Sequence, residues 1–246
     1  CLNVDIHSYM MEGFYSAYYY ENALELINII LSKSEEELIA VGNTIDDKKT
    51  AYYKSGMIYM KWGQFDKAIE GFSQALKLSY GDDAQNKWWN AHYNKRLGLV
   101  YYFMGEHSKA SNYYLEAMKL YETIKDDWDD AIKSICSYGY LEELNGNSET
   151  AKEKMAECSK WILENPDKLI ADPDPGYNAY ETIWPLYLYN EKINQQEEAF
   201  KYLNMAYETI GSESIDKFHK HPDKDTHPKF FYGRDIIKTY ETKLNQ

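Results

Sequence analysis

Three segments of this 246-residue chain repeat one pattern of small and aromatic residues at a step of about 42 residues. The first small residue of each copy is Gly56, Gly98 or Gly139, and these glycines are 42 and 41 residues apart. An alanine follows each glycine at the same distance in all three copies. A repeat of this length is typical of stacked helix hairpins, in which each copy packs against the next.

The spacing within the first copy predicts two helices that pack closely. Gly56 and Tyr59 are three residues apart and therefore share a face of the first helix. Gly63 ends that helix, where a residue that adopts positive φ is favoured. Ala68 and Phe72 lie on one stripe of the second helix. Glycine inside a helix costs roughly 0.5–1 kcal/mol relative to alanine, so its recurrence indicates a close helix contact.

This pattern resembles the tetratricopeptide repeat, which reads W-x2-L-G-x2-Y and then A-x3-F. The third copy departs from it, because Glu142 stands where the tyrosine belongs. The period exceeds the usual 34 residues and is similar to that of the variant in kinesin light chains and bacterial peptide-sensing regulators. The matching positions of the first two copies are Tyr52-Ser55-Gly56-Tyr59-Ala68-Phe72 and Asn94-Leu97-Gly98-Tyr101-Ala110-Tyr114.

The resemblance implies an all-α fold, namely a right-handed superhelical solenoid of helix-turn-helix repeats with a C-terminal capping helix. We expect a single domain over residues 1–246, with its best repeats at 49–82, 91–124 and 132–163. Looser units are expected at 5–33 and 177–211, and a terminal helix at 229–244. Two prolines in the segment Asp172-Pro173-Asp174-Pro175-Gly176 predict a break in the helical pattern.

The resemblance also implies a peptide groove, because the first helix of each hairpin lines the inner surface of such arrays. Methionine and aromatic side chains on this surface can adapt to a peptide, and basic side chains can hold a carboxylate. We therefore predict a non-catalytic scaffold for a protein or peptide partner; the alternative is that several of these residues pack between repeats. The predicted groove residues are Tyr53, Met57, Met60, Lys61, His92, Lys95, Arg96, Leu99, Tyr102, Phe103 and Tyr140.

Charge and motif content argue against several other functions. The net charge of −13 argues against nucleic acid as a partner, since phosphates require a basic surface. The sequence contains no run of 18 apolar residues, so we predict no transmembrane segment in it. The sequence contains no phosphate-binding glycine loop, no G-x-S-x-G and no H-E-x-x-H. We therefore expect no enzyme activity, no catalytic residues and no cofactor.

Three histidines near the C-terminus raise the possibility of a metal site. His219, His221 and His227 share a segment with several aspartates, and imidazole with carboxylate suits zinc. A metal-dependent enzyme is therefore one alternative function. However, the histidines do not share a helix face, and Pro222 and Pro228 restrict their convergence. We predict no metal site here.

The three cysteines leave two questions open. Cys136 and Cys158 are expected at neighbouring ends of the third hairpin; we interpret them as buried thiols, with a disulfide as the alternative. Cys1 stands where a mature bacterial lipoprotein carries its lipid. One alternative function is therefore a cell-envelope lipoprotein scaffold, which associates with a membrane only if Cys1 is lipidated; otherwise a cytoplasmic location is expected. A fragment of a peptide-sensing regulator is the other alternative.

Overall fold

The computed structural model describes residues 6–40, 44–79, 81–124, 128–170 and 175–245. All regular secondary structure in these ranges is helical, which confirms the all-α prediction. Cys1 and residues 172–174 of the proline-containing break lie outside the described residues. The right-handed superhelix stays a prediction.

The chain divides into two compact units, one ending at Gly105 and the other beginning at Glu106. The repeat pattern continues through this boundary, and the single domain stays a prediction. In the first unit α1 packs on α2, α2 on α4, α4 on α5, and α5 on α6. The helices of this unit are α1 (Ile6–Ser16), α2 (Tyr20–Ser32), α3 (Glu35–Ala40), α4 (Ile45–Lys61), α5 (Phe65–Lys77) and α6 (Ala84–Phe103).

The second unit continues with helix pairs and adds C-terminal elements. In it α7 packs on α8, α8 on α9 and α12, α12 on α13, and α13 on α14 and α15. A π-helix, Ala179–Ile183, precedes α12, and a 3-10 turn, Pro228–Phe230, precedes α15. The helices are α7 (His107–Glu122), α8 (Trp128–Leu144), α9 (Ser148–Glu164), α10 (Pro166–Ile170), α11 (Pro175–Asn178), α12 (Trp184–Lys192), α13 (Gln196–Ile210), α14 (Ser212–Lys220) and α15 (Arg234–Leu244).

The close contact predicted for the first repeat lies between α4 and α5. A Cβ atom on Gly56 would lie 2.8 Å from the Phe72 ring, so the glycine leaves room for that ring. Ala68 and Phe72 are completely buried, as the stripe predicts, and Ala75 one turn further along is buried as well. Gly71, which the repeat pattern did not single out, brings the two backbones together: its Cβ would lie 2.8 Å from the Gly56 nitrogen.

One turn geometry joins the helices of four hairpins, two in each unit. The turn residue has positive φ and is Tyr18, Gly63, Gly146 or Asn194. In each turn the following backbone N–H donates to the carbonyl five residues earlier, as from Gln64 to Tyr59 at 2.8 Å. The positive φ of Gly63 confirms the predicted helix end. The α1–α2 and α12–α13 pairs therefore have the same turn as the well-matched repeats.

The segment between the looser unit that ends at residue 33 and the first repeat that begins at residue 49 is partly helical. It contains α3, and α4 begins at Ile45, four residues before the predicted repeat boundary. The early start has a local cause: the Thr44 side chain accepts from the Asp46 N–H at 3.2 Å. The Thr44 N–H in turn donates to the Asp47 carboxylate at 2.6 Å. Such a capping box satisfies backbone donors that the first turn of a helix leaves without partners.

Cys136 in α8 and Cys158 in α9 form a disulfide, with Cα atoms 5.2 Å apart. The interpretation as buried thiols is therefore wrong, and the alternative holds. Both side chains are completely buried, as expected for the facing sides of a hairpin. The bond fixes α8 to α9 within the second unit.

Glu142 has a structural role that explains its place in the third repeat. It is buried, and its carboxylate accepts a short hydrogen bond from the Ser111 hydroxyl on α7. The other carboxylate oxygen accepts from the Asn147 side-chain amide at 2.8 Å, in the turn between α8 and α9. A buried acceptor with two donors is stabilising, whereas an unsatisfied one is costly. Glu142 thus connects α7, α8 and the following turn, where a tyrosine would pack a ring.

Candidate functional site

The predicted groove residues of α4 differ in their accessibility. Met57 and Met60 belong to the core, and Met60 is 0% exposed. Tyr53 and Lys61 are half-buried. The Lys61 ammonium donates to the Tyr20 hydroxyl of α2 at 3.2 Å, so it packs towards the N-terminal helix pair. Of the four residues, Tyr53 and Lys61 retain surface that a ligand could touch.

The predicted residues of α6 divide in the same way. His92, Lys95, Arg96 and Leu99 are buried, and Lys95 is only 1% exposed. Burial of a charge is costly unless it is paired, and both basic residues do interact with other residues of the chain. These two charges are therefore not available on the surface as the sequence suggested.

The C-terminal end of α6 keeps its predicted aromatic surface. Tyr102 and Phe103 are half-buried, and the Phe103 ring stacks on Phe65 of α5 with centroids 6.0 Å apart. Tyr140 on α8 is also half-buried and belongs to the second unit. The ligand-binding role of all eleven residues stays a prediction.

A hydrogen bond joins α4 to α6 in the middle of this surface. The Tyr53 hydroxyl lies 2.9 Å from His92 Nε2, and the two rings have centroids 5.3 Å apart. Tyr53 also contacts Phe72 of α5 at 5.9 Å between centroids, so one tyrosine links three helices. The sequence placed Tyr53 and His92 on the same surface, and the structure brings them into contact.

An aromatic cluster at the start of α6 was missed from the sequence. It comprises Tyr53, Trp88, Trp89, His92 and Tyr93. Trp88 stacks on His92 at 5.0 Å, and Trp89 stacks on Tyr93 at 5.8 Å, because residues four apart on a helix are neighbours. Both tryptophans are half-buried. The adjacent tryptophans were a visible signal, but the repeat template assigns no role to positions so early in the helix.

The C-terminal histidines make local contacts. His219 Nε2 lies 2.7 Å from the Glu241 carboxylate, which holds α14 to α15. The rings of His221 and His227 lie 4.3 Å apart, and each Nδ1 accepts a nearby backbone N–H. The pKa of His227 is lowered by burial and then by the neighbouring His221 and Lys229. Across the described ranges, no group of three or more His, Cys, Asp or Glu side chains could hold a metal ion.

None of the helices in the described ranges has the length and apolar character needed to cross a membrane.

Comparison with solved structures shows the fold. The crystal structure of BtubC from P. vanneervenii is similar with a TM-score of 0.57 and 16% identity, covering 88% of this chain and 82% of that one. The apo form of RapI is similar with a TM-score of 0.59 and 18% identity, covering 96% and 85%. At these identities the likeness concerns the fold alone. No curated protein sequence matches the chain.

A family model supplies the more specific comparison. The tetratricopeptide repeat model matches residues 49–123, which include the first two copies of the pattern described above. The match agrees with the small residues packed between α4 and α5 and with the positive φ of Gly63 at the end of α4. Residues 49–123 therefore belong to the tetratricopeptide repeat family.

Proposed function

We propose that the chain is a non-catalytic scaffold that binds a protein partner, and that it contacts a peptide segment of this partner through α4 and α6. The observation that carries the proposal is the set of half-buried aromatic side chains on these helices, within the tetratricopeptide match. Aromatic rings provide large contact areas at low entropic cost and are enriched among residues that dominate binding energy. The aromatic residues concerned are Tyr53, Trp88, Tyr102 and Phe103.

The spacing along α6 suggests the length of segment that would be bound. Trp88 and Tyr102 are separated by about four helical turns, so their side chains emerge within about 40° of each other around the axis. At 1.5 Å per residue they lie about 21 Å apart along the helix. An extended peptide of roughly six or seven residues has this length.

Charge supports a cationic partner. The chain has a net charge of −13, and a charge of this size attracts oppositely charged partners during diffusion. Lys95 and Arg96 are both buried, so their positive charges are not presented to an approaching cationic partner. The association rate should therefore fall as the salt concentration rises.

Site-specific crosslinking would test the binding surface. A photoreactive amino acid is placed at Tyr102, and the control carries it at Tyr9, which is 74% exposed on α1. The captured protein is then identified, purified and titrated against the Tyr102→Ala and Tyr9→Ala variants by calorimetry. We expect at least a tenfold loss of affinity for Tyr102→Ala, or about 1.4 kcal/mol, and little change for Tyr9→Ala.

The comparison of two tyrosine truncations separates binding from folding. Both variants should keep the helical circular dichroism of the parent. If Tyr102→Ala binds the purified partner as tightly as the parent, the surface proposed here is wrong. If Tyr9→Ala loses as much affinity as Tyr102→Ala, binding is not specific to the surface of α4 and α6, and the proposal is wrong.

A further inference from the structure

The first unit contains a pocket that is separate from the surface around Tyr102. It has a volume of about 310 Å³ and lies where the beginnings of α4 and α6 meet the end of α5. Its apolar wall comes from Ile45, Leu78 and Trp89, and its polar groups come from Asp46, Lys49, Thr50, Gln85, Asn86 and the Tyr93 hydroxyl. This volume is at the lower end of the range for small-molecule sites. Most of the lining residues are polar, so the pocket suits a small polar ligand that also has an apolar part.

Two opposite charges stand side by side in the pocket wall. The Lys49 ammonium lies 2.5 Å from Asp46 Oδ1. The Lys49 side chain is only 11% exposed, whereas that of Asp46 is 72% exposed. An ammonium has three donors and a carboxylate has two oxygens, so one mutual contact leaves capacity on both groups. The wall therefore offers an acceptor for a cation and a donor for an anion within a few ångströms.

Tyr93 adds a hydroxyl donor that no neighbour in the described ranges uses. The residue is 2% exposed and lines the pocket, and its hydroxyl has no hydrogen-bond partner within the part of the chain that the structure describes. Burial raises the pKa of Tyr93, and the nearby Tyr53 and Asp46 raise it further, so the hydroxyl keeps its proton. The hydroxyl is not one of the fully enclosed polar atoms of the chain, so it opens onto the pocket and can donate to a ligand acceptor there.

We propose that this pocket binds a free α-amino acid with a large apolar or aromatic side chain. The ligand ammonium contacts Asp46, and the ligand carboxylate accepts from Lys49 and from the Tyr93 hydroxyl. The ligand side chain packs against Trp89 and Leu78.

A zwitterion fits this site better than a simple ion. A lone anion would meet the Asp46 carboxylate, and a lone cation would meet the Lys49 ammonium, so either would be repelled by one member of the pair. A zwitterion gives each member an opposite charge and leaves the site neutral. The third contact, from Tyr93, favours the carboxylate end, which has four acceptor positions.

Calorimetric titration of the whole chain with L-phenylalanine and L-leucine would test the proposal. Two blocked derivatives, N-acetyl-L-phenylalanine and L-phenylalaninamide, each remove one ligand charge. We expect the free amino acids to bind and each blocked derivative to lose at least tenfold in affinity. If neither amino acid gives a heat of binding at millimolar concentration, the proposal is overturned. Binding of the blocked compounds as tight as that of the free amino acids would also overturn it.

Protein variants locate the site. Tyr93→Phe should weaken L-phenylalanine binding several-fold, whereas Tyr59→Phe, on the same unit but outside the pocket, should leave it unchanged. Asp46→Asn is a second test; because it removes the partner of the nearly buried Lys49 ammonium, its melting temperature is measured together with its affinity. Unchanged affinity in both pocket variants would refute the assignment. A capped peptide that binds here in a Tyr93-dependent manner, while free amino acids do not, would also refute it.

Discussion

The close contact between α4 and α5 allows a quantitative prediction about Gly71. A Cβ atom added to this residue would lie 2.8 Å from the Gly56 nitrogen, 2.8 Å from the Tyr52 carbonyl oxygen and 2.9 Å from the Gly56 Cα. All three atoms belong to the backbone of α4, so no side chain can rotate away. Gly71→Ala can therefore be accommodated only if α4 and α5 move apart.

Two opposing contributions set the size of the effect. Overpacking a close contact costs typically 1–3 kcal/mol, and rigid backbone on both sides favours the upper part of this range. Alanine in place of glycine inside a helix stabilises the helix by roughly 0.5–1 kcal/mol. The expected net loss is therefore about 1–2 kcal/mol. For a chain of this size that corresponds to a decrease in Tm of roughly 2–8 °C.

Three glycine-to-alanine variants would be compared by thermal and urea unfolding, followed by circular dichroism. Gly13 is exposed on α1 and has no atom within 4 Å of its added Cβ, so Gly13→Ala should be slightly more stable than the parent. The stability of Gly139→Ala should lie between those of Gly13→Ala and Gly71→Ala, because the contacts of its added Cβ at 3.0 Å include the flexible end of Met155. A Gly71→Ala variant as stable as the parent, or more stable than Gly139→Ala, would refute the reasoning.

Three further predictions concern the second unit. Because the pKa of His227 is lowered from 6.5 on folding, the unfolded chain binds more protons below that pH; stability should fall as the pH drops from about 6.5, and His227→Gln should reduce this slope in urea titrations. Glu142→Leu should cost about 1–3 kcal/mol, because it leaves the buried Ser111 hydroxyl without its acceptor; Glu142→Gln keeps an acceptor and should cost less, so equal melting temperatures would contradict this account. The α8–α9 disulfide predicts one reactive thiol in the denatured, unreduced chain and three after reduction. Reduction should lower the free energy of unfolding by roughly 2–4 kcal/mol. Three thiols before reduction would show that the bond is absent.

The fold followed from the sequence where side-chain size alone decides the packing. Gly56 and Ala68 recur at fixed spacings, and with a large side chain at the position of Phe72 they allow two helices to approach closely; the structure has this contact. Gly71 was missed because the family template has no small residue there, so only the neighbouring helix reveals its purpose. The disulfide was undetermined for a different reason: facing positions bring two cysteines together whether or not they are oxidised.

The π-helix shows a local effect that the repeat pattern obscured. Pro185 has no backbone N–H, so it cannot donate to the carbonyl of Glu181, four residues earlier. The helix accommodates the missing bond in the segment Ala179–Ile183, where longer π-type bonds replace the usual ones. A proline in the middle of an expected first helix was a visible signal. The repeat pattern nevertheless indicated only a looser unit at 177–211, and such a pattern does not distinguish a π-type turn from an ordinary helical turn.

The candidate site was harder to predict than the fold, because the repeat pattern specifies which residues face a neighbour but not how much of each remains exposed. Lys95 and Tyr102 occupy related positions on α6, seven residues apart, and therefore lie on nearly the same face. Lys95 is 1% exposed and interacts within the chain, whereas Tyr102 is half-buried. A substitution at Lys95 would consequently lower stability and ligand binding together. It removes the buried ammonium with which other residues of the chain interact, and those residues lose their partner. An accessible residue such as Tyr102 can report on peptide binding separately from folding, and the test of the peptide surface therefore depends on Tyr102 and not on Lys95.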